Sequence, residues 1–317
     1  DGKYYLSEIH ENDSIYINYV DLIIKKTKLL PSKNFPVFAY LDKGLFYFHK
    51  ENNKLSLKNW ISALKEIEIH KNDSLEFIIK KNIGALNYYN KKFIRTKKLY
   101  LECLDYYKKN KLKIEPSNYF SLLINTSKVY LNLQNIDSAK FFNKKANQYA
   151  KKINNNVLVG YCFYRWSIIN FREHNYEETI LNCKKSIPFL IEDENYRILF
   201  NAYNIIAKAY SQLNNEIKTK KYNFLIDSLF IRTKIVHASQ KDSYKYLANH
   251  FKENKDLKNQ LKYINKYLKV DSILNQRSKN LSKTFTEEYD RPKLIAEKQK
   301  IISELNNEVS FYKKSRV

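Results

Sequence analysis

The chain has 317 residues, with only 4 Gly and 5 Pro, and it carries 57 Lys and Arg against 33 Asp and Glu, a net charge of +24. So few turn formers exclude an all-β domain of this size, and a 44% hydrophobic share excludes wholesale disorder. No run of 18 apolar residues occurs, so the segment itself holds no membrane-spanning helix. The charge admits two readings, a polyanion partner or compositional drift. The lysines are spread along the whole chain together with Asn and Ile, which favours drift and argues against nucleic-acid binding by this segment. Cys103, Cys162 and Cys183 form no CxxC pair and read as core thiols, although Cys162 and Cys183 fall on two helices of one expected hairpin. The chain begins at Asp1 and contains no Met, and it is expected to be a segment of a longer gene product.

In chain order, the first expected helix runs near Ser14 to Leu30 and ends at Pro31. A repeated frame follows. A small residue recurs at Gly44, Gly84, Ser127, Ser167, Ala207 and Ala248, at intervals of 40, 43, 40, 40 and 41 residues. Twelve residues further on stand Ser56, Thr96, Ala139, Thr179, Thr219 and Gln260, and seven beyond those stand Ala63, Cys103, Ala146, Ser186, Ile226 and Tyr267. An aromatic follows the first small residue at Tyr47, Tyr130, Tyr210 and Phe251. Small residues let two helices approach closely, and the ring fills the wedge beside them. The segment NTSKVYLNLQNIDSAKFFNKKA from Asn125 resembles the tetratricopeptide repeat (TPR), with a period of about 40 in place of 34. The expected fold is therefore all-α, a right-handed α-solenoid of about six TPR-like hairpins over 1–273. Turns are expected at Asn132–Asn135, His174–Asn175, Asn214–Asn215 and Asn254–Asp256.

The TPR resemblance implies that the first helices of successive hairpins line a concave groove. Residues one, four and five beyond the first small residue, and three and six before it, would face that groove. Phe48, Tyr88, Tyr89, Lys128, Leu131, Tyr164, Phe171 and Arg172 come from the first four repeats, an aromatic stretch with a few cations. Asn204, Lys208, Lys245 and Asn249 come from the last two. A peptide or protein could dock apolar side chains on the aromatic part. Lys245 and Asn249 also have the spacing with which some TPR domains clamp a C-terminal carboxylate.

The remainder, 274–317, is expected to be a long capping or coiled-coil-like helix. Ile295, Ile302 and Val309 are seven apart, Leu305 lies on the adjacent seam position, and Pro292 should start the helix. Such a helix could cap the array, form a homodimer or transmit a signal. The run Gln260–Leu268 (QLKYINKYL), then Asp271-Ser272-Ile273 and Glu287-Glu288-Tyr289-Asp290, is similar to bacterial membrane-tethered signalling proteins. That resemblance implies an extracytoplasmic or periplasmic TPR sensor. A membrane span and a histidine kinase or helix-turn-helix transcriptional regulator would follow, outside this segment.

No phosphate-binding, dinucleotide, zinc-protease or serine-hydrolase motif occurs, and the six His stand without partners at metal spacing. No enzyme activity, cofactor or metal is expected. The groove positions Leu45, Ala85, Lys128, Ile168, Lys208 and Asn249 do not repeat in type, as a base-reading RNA-binding repeat would require. The expected function is peptide or protein binding by the sensory region of a bacterial signal-transduction or transcription regulator. The alternative is a cytoplasmic TPR adaptor or a peptide-responsive, quorum-sensing-like regulator.

Overall fold

The computed structural model describes residues 13–27, 35–70, 72–110 and 114–314. Its helices are α1 (Asp13–Thr27), α2 (Phe35–His49), α3 (Asn53–His70), α4 (Asp73–Tyr89), α5 (Phe93–Asn110) and α6 (Pro116–Asn132). They continue as α7 (Ile136–Lys152), α8 (Asn156–Arg172), α9 (Tyr176–Glu192), α10 (Tyr196–Gln212) and α11 (Glu216–Thr233). The last are α12 (Ser239–Glu253), α13 (Leu257–Thr284), a π-helical segment Phe285–Asp290, and α14 (Arg291–Lys314). No strand occurs among the described residues, and consecutive helices pack as hairpins. This is the expected all-α TPR-like architecture.

The turn chemistry explains the period. Each hairpin turn passes through one residue in the left-handed region, and none of these is glycine: Glu51, Lys91, Gln134, Asn154, His174, Glu194, Asn214, Lys234 and Lys255. From Gln134 to Lys234 they recur every 20 residues. Helices of 17 or 18 residues fill the intervals. The next residue does two jobs. The Asn135, Asn155, Asn175, Asn195 and Asn215 N–H groups donate back to Tyr130, Ala150, Asn170, Leu190 and Tyr210 carbonyls at 2.9–3.0 Å, closing the preceding helix. The side chains of Asn135, Asn155, Asn195 and Asn215 then accept from the N–H of Ser138, Leu158, Ile198 and Lys218, which caps the following one. Asp256 repeats the pattern with Phe251 and Asn259. The turns at Asn154 and Glu194, which join successive hairpins, use the same device.

The small positions make two kinds of hydrogen bond, one within a helix and one across a hairpin. The hydroxyls of Ser56, Thr96, Thr179 and Thr219 donate to the carbonyl four residues back, which belongs to the turn residue. Where Ala139 replaces the hydroxyl, Ser127 Oγ donates across the hairpin to the Ala139 carbonyl at 2.8 Å. The aromatic position stacks within its own hairpin: Tyr130 on Phe142, Tyr210 on Tyr222 and Phe251 on Tyr263, with centroids 5.5, 5.8 and 5.6 Å apart.

The chain forms two compact units. One spans residues 87–276. Within it α6, α8, α10 and α12 touch one another in series and build one continuous face, and α7, α9 and α11 lie behind them. Its core includes Leu131, Ile169, Tyr164, Ile180, Leu190, Phe200, Ile206, Ile226 and Tyr244. All three cysteines are buried and none is in a disulfide, and burial pushes the thiols of Cys162 and Cys183 up to about 12.

The other unit comprises residues 1–86 and 277–317. Tyr16 of α1 stacks on Phe46 of α2 at 4.9 Å. Gly44 faces the Trp60 indole so closely that an added Cβ would lie 2.1 Å from Nε1, and that Nε1–H donates to the Leu41 carbonyl at 3.2 Å. The end of the chain returns to this hairpin: Arg277 pairs with Glu51, Glu288 with Lys58 at 2.7 Å, and Leu281 and Phe285 are buried. In the π-helical segment the Arg291 N–H reaches back five residues to Thr286, just before Pro292, which brings no N–H of its own. The expected boundary at 273/274 lies inside α13. On α14, Ile295 and Ile302 are exposed. The side chains of Leu305 and Val309, and the expected helix end at Leu30 and Pro31, lie outside the described residues.

Candidate functional site

In the unit spanning 87–276, the end of α4 and the face of α6, α8 and α10 bring together three tyrosines and three strong cations. Lys128 Nζ lies over the Tyr88 ring, 4.0 Å from its centroid, and 5.3 Å from that of Tyr89. The two rings meet edge to face at 6.1 Å. Asn132, one turn after Lys128, donates its amide to Tyr88 Oη at 2.7 Å and to the Lys128 carbonyl at 2.9 Å. Tyr88 Oη thus accepts from Asn132 and keeps its own proton as a donor. Lys128 is half-buried.

Arg165, from α8, is 5% exposed. Its guanidinium lies 5.8 Å from the Tyr164 ring, and its Nε is enclosed without a hydrogen-bond acceptor. Burial, reinforced by the Arg165 charge, lowers the Lys128 ammonium to about 7. Burial also lowers Arg165 itself, opposed by Tyr164, Tyr88 and Cys162. Arg197, at the start of α10, is lowered by burial and opposed by Tyr89. His237, in the turn before α12, drops to about 4 through burial, then Arg197 and Lys128. Its ring stacks on Phe200 and accepts from the Ser239 N–H. The groups that shift Lys128, Arg165 and His237 are cations, phenols or a thiol, and no carboxylate is among them. An arrangement of this kind is built to accept negative charge, since a buried cation without a counter-ion is costly to keep.

The expected groove residues fall into several groups. Tyr88, Tyr89 and Lys128 meet in one cluster, and Arg172, exposed on α8, acts electrostatically on Tyr88. Tyr164 is 7% exposed and Leu131 3% exposed; both are core side chains, because the rotation of α6 and α8 turns them inward. Phe171 is partly buried against the Tyr164 cluster. Asn204 and Lys208 share Asp242, at 3.4 and 2.6 Å, so this stretch carries its own counter-charge. Lys245 and Asn249 are exposed on α12. Phe48 belongs to the other unit, its ring 5.8 Å from that of Trp60. The groove rule did not select Arg165, Arg197 or His237. Arg165 had one sequence signal, a lone charge inside the apolar run from Tyr161 to Ile169. Among the described residues no cluster of His, Cys, Asp or Glu could hold a metal, and no helix is long and apolar enough to cross a membrane.

The chain is a TPR-like helical-repeat protein. No protein-family model matches its sequence, and no curated protein does. Solved structures share the fold. A signal transduction ATPase with numerous domains, carrying a tetratricopeptide repeat sensor, from Pyrococcus horikoshii matches 86% of this chain at TM-score 0.59 and 16% identity. The match spans only 42% of that protein. A Rap protein complexed with competence and sporulation factor matches 87% of this chain and 91% of its own, at TM-score 0.53 and 13% identity. Aspartyl phosphate phosphatase F from Bacillus subtilis matches 79% of this chain and 74% of its own, at TM-score 0.53 and 14% identity. At these identities the likeness carries the fold alone. The three names differ in activity, so function must be argued from the site.

Proposed function

We propose that the chain is a non-catalytic TPR-like domain that binds a peptide or protein ligand on the face built by α6, α8 and α10, as the sensory region of a bacterial signal-transduction or transcription regulator. The observation that carries this reading is the cluster itself: the Lys128 ammonium lies over the Tyr88 and Tyr89 rings, with Tyr89 exposed and Arg165 buried on the neighbouring helix. Such a surface offers ring area for apolar side chains and fixed charge for orientation. The sensor in Pyrococcus and the Rap protein solved with its factor support a regulatory setting for the fold. On this reading the domain is extracytoplasmic, tethered through a membrane segment outside this chain, and α14 passes the bound state onward. The second reading is a cytoplasmic ligand-responsive regulator, favoured by the match along 91% of the Rap chain.

The test is selection of binders from a random peptide library, followed by calorimetry on the wild type and Tyr89→Ala. Selected peptides should bind the variant at least about tenfold more weakly. They should also change amide hydrogen exchange along Arg291–Lys314. Equal binding to the variant would remove the tyrosine–lysine cluster from the function, and unchanged exchange in α14 would remove the transmitting role.

A further inference from the structure

Three second helices of the 87–276 unit bury one equivalent position against the hairpin that follows. On α7 the Asn143 amide donates to the Cys162 carbonyl of α8 at 3.3 Å. At the same position on α9, Cys183 Sγ donates to the Ala202 carbonyl of α10 at 3.3 Å. On α11 the Asn223 carbonyl accepts from Ser243 Oγ of α12 at 2.9 Å. All three residues are buried, but one repeat later the position falls on Ile264 of α13, which is exposed. Asp227 of α11 is buried in the same way, and its counterpart on α13, Leu268, is exposed. With Leu257 and Leu261 these residues stand at i, i+4, i+7 and i+11, one stripe along α13, and their exposures run from 37% to 75%. Lys258, Lys262 and Lys269 each directly follow one of the leucines and are exposed, so they form a second row about 100° round the helix. On the other flank Asp271 is already paired with Lys241.

We propose that the stripe on α13 docks an amphipathic helix of a partner protein whose flanks are acidic, laid where the first helix of a further hairpin would stand. The proposal does not depend on the tyrosine–lysine cluster, which belongs to α4 and α6. Position identifies the occupant as a helix, because α8, α10 and α12 fill the equivalent place on α7, α9 and α11. Composition identifies its two chemistries. An exposed apolar row rimmed by polar residues marks an interaction surface, and it asks for apolar side chains at the same helical spacing. The lysine row beside it asks for Asp or Glu on the facing flank, the arrangement that sets partner choice in paired helices. A second copy fits less well. Two-fold symmetry with α13 set antiparallel on α13 would bring the lysine row against itself, in a chain that already carries +24. A lipid surface also fits less well, since an interfacial helix buries a whole apolar face. The remaining apolar side chains of this turn of α13, Tyr263 and Val270, are buried in its own hairpin.

The experiment is calorimetry of the full chain with two capped peptides. One is three copies of the heptad Leu-Ala-Gln-Leu-Glu-Gln-Glu, and the other has Lys in place of each Glu. The acidic peptide should bind at least about tenfold more tightly than the basic one. It should also slow amide hydrogen exchange over Leu257–Val270. Leu261→Gln with Leu268→Gln should weaken binding at least about tenfold and leave the Tm nearly unchanged, because both side chains are exposed. Lys258→Glu, Lys262→Glu and Lys269→Glu together should reverse the preference toward the basic peptide, which a merely structural row of lysines would not do. Tyr89→Ala should leave the acidic peptide's affinity unchanged, so failure here and failure of the tyrosine–lysine face are separate results. Equal affinity for the two peptides, no binding at about 1 mM, or binding that survives the double glutamine variant would each overturn the proposal. Sedimentation of the chain alone as a dimer that the double variant dissolves would also overturn it and assign the stripe to a second copy. Capture by phosphatidylserine–phosphatidylcholine vesicles, lost in the same variant, would overturn it in favour of a membrane surface.

Discussion

Two buried charged sites in the 87–276 unit are handled in opposite ways. At Asp227, 5% exposed on α11, the carboxylate is met by Lys266 and Tyr263 of α13. At Arg165, equally buried on α8, the guanidinium is met by a ring and by no acceptor for its Nε. The first arrangement ties the second helix of one hairpin to the second helix of the next and is complete in the free chain. The second leaves its Nε enclosed without an acceptor. The difference separates charge that joins two helices from buried charge that joins none.

The comparison breaks most easily at its paired side. Asp227→Asn removes the negative charge and leaves Lys266 and Tyr263 in place. Lys266 is about a quarter exposed and regains some water, so the loss should be about 2–3 kcal/mol, below the full cost of breaking a buried pair. Urea unfolding measures it, and a loss under about 0.5 kcal/mol would mean that Asp227 is not structural. On the unpaired side the sign should reverse. Lys128→Met removes a half-buried ammonium whose ring contacts offset part of its desolvation, so the empty protein should gain about 1–2 kcal/mol. A loss of similar size would place Lys128 among the structural charges.

The same lysine makes a pH prediction whose sign can be checked. Folding lowers the Lys128 ammonium to about 7 from 10.5. Between those values the unfolded chain binds the extra proton, so stability is lowest below pH 7 and rises as pH increases toward 10. Thermal unfolding at about pH 7 and pH 9 should show this rise in the wild type and a smaller one in Lys128→Met. An identical slope in both proteins would mean that the half-buried ammonium is solvated and pays no desolvation cost.

The repeat was legible because it is local. Small residues at Ser127, Ala139 and Ala146, and Asn at each turn, recur at fixed spacing, and each has a nearby physical task. The Asn residues read as turn formers, but their second task was not visible, since one side chain both follows a helix end and caps the next helix. The site was half legible. Tyr88, Tyr89 and Lys128 follow from helix geometry, but Arg165 stands two residues before Ser167, at a position the groove rule does not select. Leu131 and Tyr164 went the other way, since a modest rotation of α6 and α8 moves a face-lining position into the core. The return of the chain end onto the first hairpin was not legible. Arg277 and Glu51 are 226 residues apart, and no periodic signal encodes such a pairing.

The smallest expected effect sets the scale for the others. Asn215 donates its N–H to Tyr210 and accepts from the Lys218 N–H at 3.1 Å. Asn215→Ala keeps the first bond, made by the backbone, and removes the second, so only the α11 cap is lost, at a cost of about 1 kcal/mol. The site is a hairpin turn without buried charge, so the loss should be the same at pH 7 and pH 9. Asn215→Asp should restore most of it, because a carboxylate at a helix start accepts the same bond and faces the positive end of the helix dipole. If Asn215→Ala instead cost as much as Asp227→Asn, the dual-purpose turns and not the charged pairs would be the main joints of the array. The contrast between paired and unpaired charge would then describe the binding face only.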